Sequence, residues 1–163
     1  DRRSSFPIRR KPNISLTLAT PPLLCYNEQK WVDKMNINRW ISQNTNSLKG
    51  KTVAVTGSTG GLGNELCEIL ASLSANLVLL DRNAEKSRKF GEKLKEKHPL
   101  ISIKYITVDL SVFQSVKAAT EKLKELSPDI LILNAGAYSI PRYKTELGYH
   151  NVFQINFLFY SNT

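Results

Sequence analysis

The chain has 163 residues, 41% of them hydrophobic, which is enough to bury the core of one domain and gives no reason to divide it into two. Its net charge of +9 is dispersed, +4 over residues 1–34 and +5 over the rest, with much of the latter interleaved with Glu85, Glu92 and Glu96 in the manner of a solvated helix face, which argues against a nucleic-acid partner. No apolar run reaches the roughly 18 residues a membrane span requires, and Cys25 and Cys67 have neither metal-site nor disulfide-framework spacing, so we expect a cytoplasmic protein with no metal and no membrane span.

Both ends look cut: the chain starts at Asp1 and stops at Thr163 inside an apolar helical pattern, so a piece of a longer protein is expected. Residues 1–34 are basic, lack a steady period and contain Pro21-Pro22; they read as a disordered extension ahead of a domain over 35–163, with a targeting segment or a start at Met35 as alternatives. Tyr26 and Lys30 spell Y-x-x-x-K, but they lie upstream of every strand, and we treat the match as coincidence. A short helix is expected over 38–46, with Trp40 and Ile41 packed.

From Thr52 the pattern becomes regular. An apolar strand, Thr52–Thr56, leads into Thr56-Gly57-Ser58-Thr59-Gly60-Gly61-Leu62-Gly63, and a helix with apolar Leu62, Leu66, Ile69, Leu70 and Leu73 follows to about Ser74. A strand over Asn76–Leu80 breaks off at Asp81-Arg82. Asn83 then caps a helix from Ala84 to about His98, with Phe90 and Leu94 inward and Pro99 closing it. A third strand runs from Ser102 to Val108 and ends at Asp109-Leu110. Ser111 and Gln114 have capping-box spacing for a helix reaching about Ser127, and Asp129–Leu133 is a fourth strand, ending at Asn134-Ala135-Gly136.

Strands alternating with helices make successive βαβ units, which predicts an α/β fold: a Rossmann-type doubly wound parallel sheet in three layers, truncated after about the fifth helix. In such sheets ligands bind at the carboxyl ends of the strands. Glycines between a strand and a helix let backbone approach a pyrophosphate, with free N–H groups and a positive dipole behind them. The spacing alone is ambiguous, since TGxxxGxG uses Gly57, Gly61 and Gly63 and TGxxGxxG uses Gly57, Gly60 and Gly63.

With TGSTGGLG, Asp81 after the second strand, Val108-Asp109-Leu110 after the third and Asn134-Ala135-Gly136 after the fourth, residues from about Lys49 to Phe159 resemble the short-chain dehydrogenase/reductase family. The NAG segment accompanies the TGxxxGxG branch, which favours Gly57, Gly61 and Gly63 and makes Gly60 a spacer. The stretch from Pro141 to Leu158 is similar to the retinol-dehydrogenase-like group.

The resemblance implies an oxidoreductase that moves a hydride between a nicotinamide and a small carbonyl or alcohol substrate, and a homo-oligomer for the complete protein. It assigns cofactor binding to Gly57, Ser58, Thr59, Gly60, Gly61, Leu62 and Gly63, to Asp109 with Leu110 at the adenine, and to Asn134, Ala135 and Gly136. Ser111 already supplies the helix cap, so Asp109 is left for the ligand. Asp81 can accept both ribose hydroxyls and repels a 2′-phosphate, so NAD is expected, with NADP possible because Arg82 adjoins. Asn156 matches the family's catalytic asparagine. The serine, tyrosine and lysine of the family's site are expected on elements after Thr163, since Tyr138, Tyr143 and Tyr149 have no lysine four places on, and the chain by itself is expected not to turn over. It is also expected to be poorly stable, with an apolar fourth strand exposed at the sheet edge. Ser74 stands where relatives have glycine. A non-catalytic NAD(P)-binding regulator or scaffold and an extended epimerase-like enzyme stay open as alternatives.

Overall fold

A computed structural model describes residues 37–158. The stretch 1–34, Cys25, the Tyr26/Lys30 pair, Met35 and residues 159–163 lie outside the described residues. The chain divides between Asn44 and Thr45. Before that point α1 (Ile37–Asn44) forms close to where a helix is expected, and Asn44 Nδ2 donates to the Trp40 carbonyl at 2.8 Å in its last turn. Ile41 is buried, whereas Trp40 stays exposed.

After it, β1 (Thr52–Thr56), β2 (Asn76–Asp81), β3 (Ile103–Thr107) and β4 (Ile130–Ile132) form one parallel sheet in the order β3-β2-β1-β4. Between them run α2 (Gly61–Ser72), α3 (Ala84–Lys97) and α4 (Phe113–Leu126); α5 (Asn151–Phe153) continues into a π-helical turn, Gln154–Leu158. The apolar runs of β1 and β2 are buried on both faces, as central parallel strands must be. Val53, Val55, Leu77 and Leu79 pack on Cys67, Leu70 and Ala71 of α2 and Leu94 of α3. Ala54, Val78, Leu80 and Ile106, on the opposite face, pack on Ala119 of α4 and on Ile155. This is the three-layer doubly wound architecture, and its strand order reverses between β1 and β4, where a crevice opens.

Helix ends follow local chemistry in two of three cases. Asn83 caps α3 by accepting from Lys86 N at 2.9 Å. α2 closes as a Schellman motif: Ser74 N donates to Ala71 O at 2.9 Å and Ala75 N to Leu70 O at 3.1 Å, with Ser74 at φ 67°. Ser74 therefore occupies a left-handed position suited to glycine. The third case corrects the expected capping box. α4 starts two residues after Ser111, with Val112 at the cap position and no capping side chain of its own. Ser111 Oγ donates instead to Asp109 Oδ1 at 2.6 Å, and the Phe113 N–H is taken by Glu146 Oε1 at 2.8 Å, from 33 residues away.

β4 is short and lies at the sheet edge, where Ile130, Leu131 and Leu133 remain over a third exposed. The expected apolar edge is therefore present.

Candidate functional site

The four strand ends converge on a cavity of about 500 Å³, lined by Gly57, Thr59 and Gly60 of the loop, Asp81 and Arg82 at the end of β2, and, beyond those, by Asp109, Leu110, residues 135–138 and Ile140. A second groove of about 630 Å³ shares Tyr138 and Ile140 with it and ends at Asn156 and Phe157. Together they form a trough from the β2 end to the last helix, each part within the size range of small-molecule sites. Two further clefts, of about 440 and 660 Å³, lie against α4 away from the loop; the smaller is bounded by the uncovered Leu131 and Leu133 of the edge strand, and neither gathers the polar strand-end groups.

The loop is shaped by its first and last glycines. Gly57 has φ 67°, and a Cβ there would sit 2.9 Å from Ala135 Cα. A Cβ on Gly63 would overlap the Gly57 carbonyl oxygen. By contrast Gly61 has nothing within 4 Å and Gly60 only the Gly57 oxygen at 3.4 Å. Gly60 is the N-cap of α2 with no side-chain cap, so the N–H groups of Gly61, Leu62 and Gly63 lack the capping oxygen that most helix starts have. Leu62 is exposed. The arrangement suits an anion at that helix start, and Gly60, the middle glycine on the cavity wall, leaves room for one.

The NAG segment holds this loop in place. Asn134 Nδ2 donates to the carbonyls of Thr56 (3.1 Å) and Gly57 (3.2 Å), and Ala135 N donates to Thr56 Oγ1 (3.0 Å). Gly136 lies within reach of Asn156, whose Oδ1 is 3.6 Å from an added Cβ. Asn156 itself grips Ala137: its Oδ1 accepts from Ala137 N at 2.7 Å and its Nδ2 donates to Ala137 O at 2.9 Å. The side-chain amide is thus occupied in tying the last helix to the strand-end segment, at the centre of the π-helical turn, a distortion often found at functional sites.

Two acids depart from the simplest expectation. Asp109 Oδ1 accepts from both Ser111 N (2.9 Å) and Ser111 Oγ (2.6 Å), a local turn, so Ser111 does not relieve Asp109 of structural duty; no described residue donates to Oδ2. Asp81, the last residue of β2 and only 4% exposed, accepts Ser58 Oγ and Ser87 Oγ on Oδ2 and Thr59 N and Oγ1 on Oδ1.

Sequence reasoning missed several supporting residues. Ser87 is buried on α3 in phase with Gly91 and Leu94, and that four-then-three spacing on a very polar helix was a readable signal. Gln154 is buried and donates to the Ser111 carbonyl at 2.8 Å while accepting from Thr145 Oγ1, joining the Asp109 turn to the helix that carries Asn156; no short-range pattern announces such a contact. Among the described residues no group of three or more His, Cys, Asp or Glu is placed to hold a metal, and no helix is long and apolar enough to cross a membrane.

The family pattern described as short chain dehydrogenase matches residues 51–162, from β1 through the last helix. The chain belongs to the short-chain dehydrogenase family. All the strand ends described above fall inside the match. An uncharacterized oxidoreductase of Schizosaccharomyces pombe is 34% identical over 134 residues, 81% of this chain and 40% of that protein. A short-chain dehydrogenase of Aspergillus ruber is 37% identical over 115 residues, 68% of this chain and 33% of that one. The chain thus spans about 40% or less of the length of these curated relatives. Among solved structures, a short-chain dehydrogenase from Sphingobium yanoikuyae in complex with NADPH superposes with a TM-score of 0.60 at 24% identity, over 68% of this chain and 44% of that one. An NADPH-dependent 3-quinuclidinone reductase from Rhodotorula rubra gives 0.56 at 28% identity, over 69% and 44%. In this short-chain dehydrogenase chain, then, the Rossmann fold and the trough at its strand ends occur together.

Proposed function

We propose that this chain is the cofactor-binding part of an NAD(P)-dependent oxidoreductase that moves a hydride between the nicotinamide and a carbonyl or alcohol of a small molecule. The observation that carries the reading is the uncapped start of α2, facing the cavity behind a loop whose Gly57 and Gly63 admit no side chain. Those residues fit a dinucleotide: the Gly60–Gly63 backbone would hold the pyrophosphate, and Asp109 Oδ2 with Leu110 would meet the adenine. When bound, the cofactor supplies the hydride chemistry. The protein's own residues bind and orient it, with Asn134 fixing the loop and Asn156 fixing the segment that joins the two halves of the trough. No Tyr among the described residues stands four places before a Lys, so no proton donor of that kind is assigned here, and this stretch alone is read as binding without turnover.

The family membership supports a small-molecule substrate and a homo-oligomeric complete protein, and the unpaired thiol of Cys67 fits the cytoplasm. We keep NAD, with NADP possible, as the expected cofactor, and a ribose hydroxyl at Asp81 would compete there with four protein donors.

The test is binding followed by turnover in the full-length protein. NADPH and NADH are titrated by nicotinamide fluorescence, and carbonyl substrates are screened for oxidation of the bound cofactor. Saturable binding with oxidation supports the enzyme. Binding without oxidation across the screen favours a non-catalytic NAD(P)-binding protein, and no binding of either overturns the proposal.

A further inference from the structure

Gln154 and Asn156 are two amides on one π-helical turn, and they reach in different directions. Positions two apart on a helix do not face each other. Gln154 is buried: its Nε2 donates to Ser111 O at 2.8 Å and to Leu110 O at 3.4 Å, and its Oε1 accepts from Thr145 Oγ1 at 2.5 Å. Asn156 is exposed in the second groove, where it holds both backbone groups of Ala137. Ile155, between them, lines the first cavity. Three consecutive residues therefore touch, in order, the turn that carries Asp109 and Leu110, the cavity wall, and the segment that follows Asn134-Ala135-Gly136.

An amide suits position 154 because two carbonyls and a hydroxyl meet there. Leu110 O and Ser111 O precede Val112, the cap position of α4, so they lie outside that helix's ladder and take a side-chain donor instead. Glutamine supplies that donor and, on the same planar group, an acceptor for the hydroxyl. The hydroxyl is tethered in its turn, since Thr145 N donates to Tyr149 O at 2.8 Å and Thr145 Oγ1 lies 3.3 Å from the same oxygen. An apolar side chain at 154 would leave the buried Ser111 carbonyl without this donor, and the helical turn would lose its fixed distance from the Asp109 turn.

Resting on the reading of the trough as a dinucleotide site, we propose that Gln154 is a positioning residue: it ties the Asp109–Ser111 turn, where the adenine would lie, to Asn156 and through it to Ala137, and so sets the spacing between the two ends of the cofactor site. Gln154 itself touches no part of the cofactor. It acts through Asn156.

Hydrogen exchange on the full-length protein reads the tie directly, because the Ala137 amide is the one that donates to Asn156 Oδ1. Gln154→Met keeps the length of the side chain and removes both polar ends. In that variant the Ala137 amide exchanges about tenfold faster or more, the scale of one buried hydrogen bond lost, while the amides of Val53–Val55 and Leu77–Leu79 stay within about twofold of native. Asn156→Ala gives at least the same rise, and the double variant gives no more than Asn156→Ala alone, as expected of residues that act in series.

Nucleotide binding gives the second readout. NADH is compared with its adenylate half, 5′-AMP, or NADPH with adenosine 2′,5′-bisphosphate, whichever pair the native protein binds. Gln154→Met leaves the half-cofactor within about twofold, because the Asp109 turn keeps its own bonds to Ser111 and Ser115, and narrows the advantage of the whole cofactor by about fivefold or more. Thr145→Val, which takes the hydroxyl from Gln154 Oε1, moves both readouts the same way by less, and Thr145→Ser moves neither; this pair decides the matter if Gln154→Met does not fold. An unchanged Ala137 amide in Gln154→Met overturns the proposal. So do core amides that quicken as much as Ala137, a double variant whose effects add, or a half-cofactor that weakens as much as the whole. A native protein that binds neither pair sinks the dinucleotide reading, a result separable from the exchange at Ala137, which needs no ligand.

Discussion

Gly63 lies so close to Gly57 that a methyl group on the first would overlap the carbonyl oxygen of the second. The two ends of the loop are thus in backbone contact, which leaves no room for a side chain at Gly63. Gly63→Ala should destabilise the fold by about 1–3 kcal/mol through overpacking. Gly61→Ala meets nothing within 4 Å, and at the first position of α2 should leave stability the same or raise it by about 0.5–1 kcal/mol through helix propensity. Thermal unfolding measures both. If Gly61→Ala keeps its stability yet loses NADPH binding, the constraint on Gly61 comes from the ligand and not from the protein.

Gly91 illustrates the same principle away from the site. A Cβ there would overlap the Tyr105 ring, so the glycine in the middle of α3 is the notch into which the β3 tyrosine fits. Gly91→Ala should cost up to about 1 kcal/mol, less than overpacking of a closed core, because the partly exposed Tyr105 ring can shift and alanine's better helix propensity offsets part of the loss. Combining it with Tyr105→Ala should recover part of that loss, a non-additive result that a double-mutant cycle in urea reads directly.

Cys67 is fully buried, and burial first, then the nearby Asp81 and Glu68 charges, push its thiol from 9.0 up to about 12. The folded state therefore keeps a proton that the unfolded chain releases. The contribution is complete below pH 9 and is lost as pH rises from there towards 12, at no more than about 1.4 kcal/mol per pH unit. Cys67→Ala should flatten that alkaline decline. In a Cys25→Ser background the thiol should resist iodoacetamide at pH 8 until denaturant unfolds the chain; rapid labelling of the native state would contradict the burial.

The start of β1 and the residue before β4 are joined at Asp129, whose carboxylate accepts from Lys51 Nζ (2.7 Å) and from Thr52 N (2.8 Å). The Lys51 hydrogen bond first, and the Thr52 amide next, hold its pKa below 3.8. A depressed carboxylate favours the folded state above its unfolded pKa and loses that contribution as pH falls through the folded one. Asp129→Asn should accordingly lower the melting temperature modestly at pH 7, where the ionised pair contributes, and change it less below pH 4, where that contribution is already being lost, so the acid limb flattens. An unchanged acid limb would show that the pair is not formed in solution.

Most of the architecture was legible because its signals are local. Runs such as Val53-Ala54-Val55 and Leu77–Leu80 can only be central strands, Asn83 caps its helix by a contact three residues away, and Ser74 follows a helix whose hydrophobic face has ended. The polar strand ends could likewise be named in advance, since parallel topology alone puts Gly57, Asp81, Asp109 and Asn134 on one edge. The readings that failed depended on partners distant in sequence. Ser111 looked like a cap, but Glu146, 33 residues on, reaches Phe113 N, which frees Ser111 to bond Asp109.

The sequence by itself therefore determined the order of elements, the sheet's polarity and the place where a ligand would lie, because period, glycine and caps act over a few residues. Only the tertiary structure decided what the site's side chains are free to do. Asp81 reads as an open carboxylate in the chain and as a filled one in the fold, because its donors come from a loop 22 and 23 residues before it and a helix six after it. A carboxylate's availability depends on every donor that can reach it, and that is settled by packing.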